Sequence, residues 1–170
     1  MKTTKAQQNA RTRAMVRVIK SATRDKNHPC LWGSWRDHGR QYVCDGFRLV
    51  MLFTPADLPA IPDDIGTIDA ERILEPARMN NGAILNLPDA ATVRAYIKTE
   101  REKHRGERPA YKPLWDFGDG LPRVNAQYLL DMLETFPDAV ATCRTEKPLI
   151  SSIYFRSDDG DGVLLPVRKK

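Results

Sequence analysis

Apolar residues in 6–22 recur at helical spacing, with Ala10, Ala14, Met15, Val18, Ile19 and Ala22 free of any intervening Gly or Pro, and this predicts an amphipathic helix. Arg13, Arg17, Lys20 and Arg24 follow at i, i+4, i+7 and i+11, so they share the opposite face. The Asn27-His28-Pro29 turn ends that helix. From Cys30 to Phe53 the pattern turns to strands. Leu31 to Trp35 and Gln41 to Cys44 flank the turn Asp37-His38-Gly39-Arg40, which predicts a hairpin. Asp45-Gly46 then interrupts before a further strand over 48–53.

Residues 55–122 change character, with prolines spaced through acidic and small residues, and are expected to be a connector or insertion. Within them a helix is predicted over 89–103, capped by Asp89 and striped by Ala91, Val93, Tyr96 and Ile97. Short strands are expected at 68–74 and 111–117. Asn125 caps a second strong helix over 126–136, with Tyr128, Leu129, Met132, Leu133 and Phe136 on one side. Strands follow at 139–144, 149–156 and 163–168, the last two joined by Asp158-Asp159-Gly160-Asp161-Gly162. The chain therefore reads as one α+β domain with a first half at 6–54, an insertion at 55–122 and a second half of the same design at 123–170.

Charge sharpens this picture. Residues 1–50 carry eleven Lys and Arg against three Asp, while the rest carries sixteen bases against nineteen acids, within a chain of 170 residues and net charge +5. A basic excess confined to one segment suggests a surface for a polyanion. No apolar run approaches the length that crosses a bilayer, and residues 1–10 are polar, so no membrane contact and a cytoplasmic location are expected. Three widely spaced cysteines, Cys30, Cys44 and Cys143, build no disulfide framework.

Two stretches, one from Arg13 to Lys20 and on through Tyr42-Val43-Cys44-Asp45-Gly46-Phe47-Arg48-Leu49-Val50 and the other from Asn125 to the closing Leu164-Leu165-Pro166-Val167-Arg168, resemble the bacterial DNA polymerase III beta subunit, the sliding clamp family. Arg13-Ala14-Met15-Val16-Arg17-Val18-Ile19-Lys20 through Tyr42-Val43-Cys44-Asp45-Gly46-Phe47-Arg48-Leu49-Val50 looks like the first half of a clamp domain, whose strand reads alanine-threonine-aspartate-glycine-histidine-arginine-leucine. Asn125 to Leu133, Lys147-Pro148-Leu149 and Leu164-Leu165-Pro166-Val167-Arg168 resemble the end of the same family. The resemblance implies a DNA-clamp-like domain whose helices lie together on one face of the sheets. It also implies sequence-independent binding of double-stranded DNA, without cofactor, metal or catalysis. The DNA-facing candidates are Arg11, Arg13, Arg17, Lys20 and Arg24, with Arg94, Lys98 and Arg101 of the helix predicted over 89–103. The resemblance further implies a pocket for short peptides of DNA polymerase or repair proteins, matched here by Gly46, Phe47, Arg48 and Leu49 with Leu165, Pro166, Val167 and Arg168. A clamp chain has three such domains and this one has length for one, so a ring requires a homo-oligomer. The alternative is a protein-interaction module that keeps the fold without encircling DNA.

Other chemistry is weaker. His28, Cys30, His38 and Cys44 are the nearest approach to a soft-metal set, but their spacing matches no common zinc pattern. The aspartates at 158–161 lack the distal Glu of a calcium loop. Asp116-Phe117-Gly118 stands without the other kinase motifs. Trp32, Trp35, Tyr42 and Phe47 offer rings for base stacking, although packing is the commoner use. No nucleophile-and-base motif is present, and an enzyme is not expected.

Overall fold

The computed structural model describes residues 4–79 and 82–168. Residues 1–3, part of the polar opening stretch, and Asn80 and Asn81 of the connector lie outside them. The chain forms α1 (Lys5–Ala22), β1 (Trp35–Asp37), β2 (Arg40–Cys44), β3 (Arg48–Leu52), α2 (Glu71–Arg78), β4 (Ala83–Leu85) and α3 (Ala90–Lys103). It continues with β5 (Leu114–Asp116), β6 (Arg123–Asn125), α4 (Ala126–Thr135), β7 (Val140–Cys143), β8 (Ile153–Ser157) and β9 (Gly160–Leu164). The main sheet has seven strands in the order β1-β2-β3-β9-β8-β7-β4, every neighbouring pair antiparallel, and β5 with β6 forms a separate ribbon.

Six of the seven strands are arranged palindromically about the β3/β9 pair. Outward from that centre, β2 answers β8 and β1 answers β7. A helix precedes each trio, α1 before β1 and α4 before β7. The two halves expected from the sequence therefore meet through their third strands. β4 extends the second half by one strand at its outer edge.

Apolar residues alternate between two cores. Val43, Val50, Leu52, Ile153, Phe155 and Leu164 face α1, α3 and α4. Their neighbours Tyr42, Cys44, Leu49, Met51, Tyr154 and Val163 face the opposite way, onto α2 and residues 61–70. Successive side chains of a strand point to opposite faces, so strands apolar throughout demand cover on both sides. The helices of the two halves, α1 and α4, share one face as expected, and α2, which belongs to the insertion, covers the other. The expected strand at 68–74 is overturned. Ala70, Leu74 and Ala77 are all buried at i, i+4 and i+7, the spacing of one helix face.

Smaller boundaries move for local reasons. Leu31 belongs to one turn of 3-10 helix, Pro29–Leu31, and β1 begins only at Trp35. The β1–β2 turn takes φ of 48° at His38 and 76° at Gly39, as a two-residue hairpin turn requires. Between β8 and β9 the turn is only Asp158-Asp159, since Ser157 pairs directly with Gly160. Gly160 and Gly162 are strand residues instead of turn residues. A Cβ at Gly160 would stand 2.0 Å from the Met51 carbonyl oxygen, and one at Gly162 would stand 2.2 Å from the Met132 methyl. Residues 149–152 precede β8 and 165–168 follow β9 without joining the strands. Among the described residues no helix is long and apolar enough to cross a membrane.

Candidate nucleic-acid interface

α4 is the middle helix of three, packed against α1 on one side and α3 on the other. Its two acids each reach a neighbour. The Asp131 carboxylate accepts from Arg17 Nε at 2.6 Å through one oxygen and is bound by Arg48 through the other. Glu134 accepts from Arg17 and, at 2.6 Å, from Arg94. The acidic helix that carries no base is thus the counterpart of the basic faces beside it. Burial opposes the charge on Arg17, but Asp131 and Glu134 outweigh it and hold the guanidinium protonated beyond its ordinary range. Burial pushes the Asp131 carboxyl up, against the pull of Arg48 and Arg17.

Arg48 is itself locked from several sides. Asp45 accepts the Phe47 and Arg48 amides through Oδ1, at 3.0 and 2.8 Å, and the Arg48 guanidinium through Oδ2 at 2.8 Å. Gly46, with φ of 83°, allows the tight turn this needs. The guanidinium also lies 3.9 Å from the centre of the Tyr128 ring, a cation–π contact. Arg48 and Leu49 are buried.

Beside this network lies a cleft of about 350 Å³ between the C-terminal part of α1 and the start of α4. Arg17, Lys20 and Arg24 line one wall, so three of the four cations predicted to share a face do share one cleft. Arg48 and Asp131 line its floor. Arg101 from the end of α3, with Tyr111 and Lys112, closes the far side. The Asn125 side chain caps α4 by accepting from the Gln127 and Tyr128 amides at 2.9 and 3.3 Å, which brings Gln127 and Tyr128 to the cleft. Residues 111–113 are held there because the Ala126 amide donates to the Pro113 carbonyl at 2.9 Å and Tyr111 stacks on His104 at 3.8 Å.

Among the described residues Lys20, Arg24, Arg101 and Lys112 form no ion pair, although Arg101 donates to Gln127 at 3.3 Å. The lining cations thus outnumber Asp131, whose charge is already shared by two guanidiniums.

The other predicted DNA-facing residues have different places. Arg11 is engaged by Asp159 and donates to the Thr135 carbonyl at 3.0 Å, so it ties α1 to the β8–β9 turn. Arg94 is spent on Glu134. Arg13 and Lys98 are exposed but do not line the cleft. Arg48 and Lys112 were not among the residues read from the sequence as DNA-facing. Lys112 lies in the irregular stretch before β5 and gave no periodic signal.

The two segments expected to form a peptide pocket do meet. Arg48 pairs with Leu164, and the Leu165 amide donates to the Phe47 carbonyl at 2.9 Å. Phe47 is 56 % exposed and Leu165 44 %, with Val167 exposed nearby on the Arg123 carbonyl, whereas Gly46 is a turn residue and Arg48 and Leu49 face inward. Pro166 is half-buried and Arg168 exposed. The surface part of the expected pocket is thus an apolar patch led by Phe47, whose ring packs on Tyr128 at 5.9 Å.

A larger recess, of about 610 Å³, lies between the β1–β2 hairpin and residues 55–67. Its buried polar groups are used structurally. Gln41 donates to Ser34 at 3.0 Å and accepts from the Ala56 amide at 2.7 Å, fastening the connector to the sheet. His28 bonds to Asp25 at 2.7 Å, His38 stands at the hairpin turn and Cys44 is buried, so the suggested metal set does not converge. Comparison with protein-family models, with curated proteins and with solved structures finds no match.

Proposed function

We propose that this chain is a non-enzymatic, clamp-like DNA-binding protein that holds the phosphate backbone without reading sequence. The observation that carries this reading is the set of cations around the α1–α4 cleft with no carboxylate partner among the described residues, including Lys20 on α1 and Arg24 in the turn that follows it. Unpaired cations at such spacing repel one another, and a phosphate backbone relieves the repulsion while releasing its counterions. The palindromic sheet with paired helices supports the clamp-like part, and the covered second face distinguishes the chain from an open clamp sheet.

The test is fluorescence anisotropy with duplexes of unrelated sequence across a salt series. Affinity is expected to be alike for all sequences and to fall steeply with salt. Lys20→Ala with Arg24→Ala should weaken every duplex equally and lower the salt slope by about 2, one for each lost phosphate contact. Binding that follows sequence, or that ignores salt, overturns the proposal. Light scattering with and without duplex reports whether copies assemble around it; a monomer in both conditions leaves local binding only.

A second reading is favoured by the exposed Phe47, Leu165 and Val167 patch: an interaction module of the same fold that binds short peptides of replication or repair proteins. Titration with a clamp-binding peptide separates the two. Tight binding lost in Phe47→Ala, without affinity for DNA, supports the module.

A further inference from the structure

The cleft is too small for a double helix, and its shape points to what enters it. At about 350 Å³ it sits at the low end of volumes that seat small ligands, about 300–1,000 Å³. A duplex whose major groove alone is about 12 Å wide can lie only across the mouth. Inside, the chemistry is of two kinds. Lys20, Arg24, Arg101 and Lys112 supply positive charge that no carboxylate among the described residues takes up. Tyr111 supplies an aromatic ring, half-buried and fixed by His104, which stacks on one of its faces and does not itself line the cleft. Tyr128 is less available, because Arg48 and Phe47 already pack against its ring. Cations that track a backbone beside a ring that accepts a base are the two requirements for binding an unpaired strand.

We infer that the cleft seats one nucleotide unit of a single strand, with its phosphate among Lys20, Arg24, Arg101 and Lys112 and its base against Tyr111. This rests on the nucleic-acid reading above and adds the strand state: the protein prefers DNA with an unpaired segment. Base stacking on a single aromatic side chain, by alanine substitution, corresponds to roughly a tenfold change in affinity.

The experiment compares a labelled twelve-nucleotide oligothymidine with a duplex of equal length by anisotropy, using the wild type, Tyr111→Ala and Tyr111→Phe. The wild type should bind the single strand more tightly than the duplex. Tyr111→Ala should lower single-strand affinity about tenfold and remove that preference, and Tyr111→Phe, which keeps the ring, should retain it. Circular dichroism melts show whether Tyr111→Ala stays folded; if it does not, the wild-type preference and Lys112→Ala, expected to weaken the single strand, decide the matter. Equal affinity for the two DNAs, or a preference that survives Tyr111→Ala, overturns the inference and leaves duplex binding standing. Binding of neither DNA overturns both readings.

Discussion

The Arg48 guanidinium and the Asp131 carboxylate bind each other with both side chains only 2 % exposed, joining the start of β3 to the centre of α4 across 83 residues of sequence. Asp45 on one side and Arg17 on the other complete the charge balance. Removing one member leaves an uncompensated buried charge, which is more costly than the pair is favourable. Asp131→Ala should therefore reduce stability by about 3–5 kcal/mol in urea unfolding. Exposed Asp69→Ala, whose partner Arg72 is also on the surface, should cost no more than about 1 kcal/mol. Similar losses for the two would contradict the buried network.

The cover on the second sheet face makes a separate prediction. Leu74 is fully buried against that face. Leu74→Ala should cost about 2–5 kcal/mol, as for any large core residue cut to Ala. Ile73, its exposed neighbour, should tolerate the same change with little effect. Equal tolerance at both positions would mean that α2 is not part of the core.

Close approach of strands sets the expectation at Gly160. Its φ of 155° and the Met51 carbonyl 2.0 Å from any added Cβ require the backbone of β9 or β3 to shift in Gly160→Ala. A loss of about 1–3 kcal/mol is expected, typical of overpacking. Gly66→Ala, with nothing within 4 Å, should be near neutral in the same unfolding assay.

Alkali should expose Tyr154. Burial first, then the neighbouring Asp161 carboxylate, push its phenol up to about 12, from an ordinary value near 10. The folded state then holds this proton more tightly than the unfolded one. Its contribution to stability is complete below about pH 10 and is lost as pH rises toward about 12. Urea midpoints measured across that window should fall, and Tyr154→Phe should flatten the decline. A wild-type decline that persists unchanged in that variant would assign it elsewhere.

The thiols should separate by burial. Cys44 is pushed up to about 11, chiefly by burial, and burial raises Cys143 as well. Cys30 is half-buried on the short 3-10 turn. With a small alkylating reagent near pH 8, mass spectrometry should find Cys30 modified first, since the thiolate is the reactive form. Early modification of Cys44 would show that its strand opens readily.

Much of this architecture was legible where one face of an element is apolar. α3 and α4 are legible through apolar stripes opened by the Asp89 and Asn125 caps, α1 through its stripe and the Pro29 stop, and the hairpin turn at His38-Gly39 through its composition. α2 was not legible as a helix, because Ile68, Arg72 and Ile73 settle no single period and the small alanines at 70 and 77 signal burial weakly. The cleft was half legible. Arg17, Lys20 and Arg24 fall on one helical face, but periodicity within α1 cannot tell that Arg17 meets Asp131, 114 residues away. The same holds for Arg94 with Glu134 and Arg11 with Asp159. A charge run reads as free until the fold brings its partners, and only then does the remainder stand out as available.

The central β3/β9 pairing carries a consequence for how the chain is born. A strand leaving the ribosome early must wait for its partner, and contacts between distant residues slow folding. Until β9 has emerged, β3 is paired with β2 along one edge only and its other edge carries unpaired backbone, and α1 waits likewise for α4. Such an exposed edge is where nascent chains associate with one another or are held by chaperones. The two halves, each helix first and strands after, therefore close onto one another late. Translation that stalls within the connector would leave a sticky half-molecule, and steady passage through it is what turns that half into a finished protein.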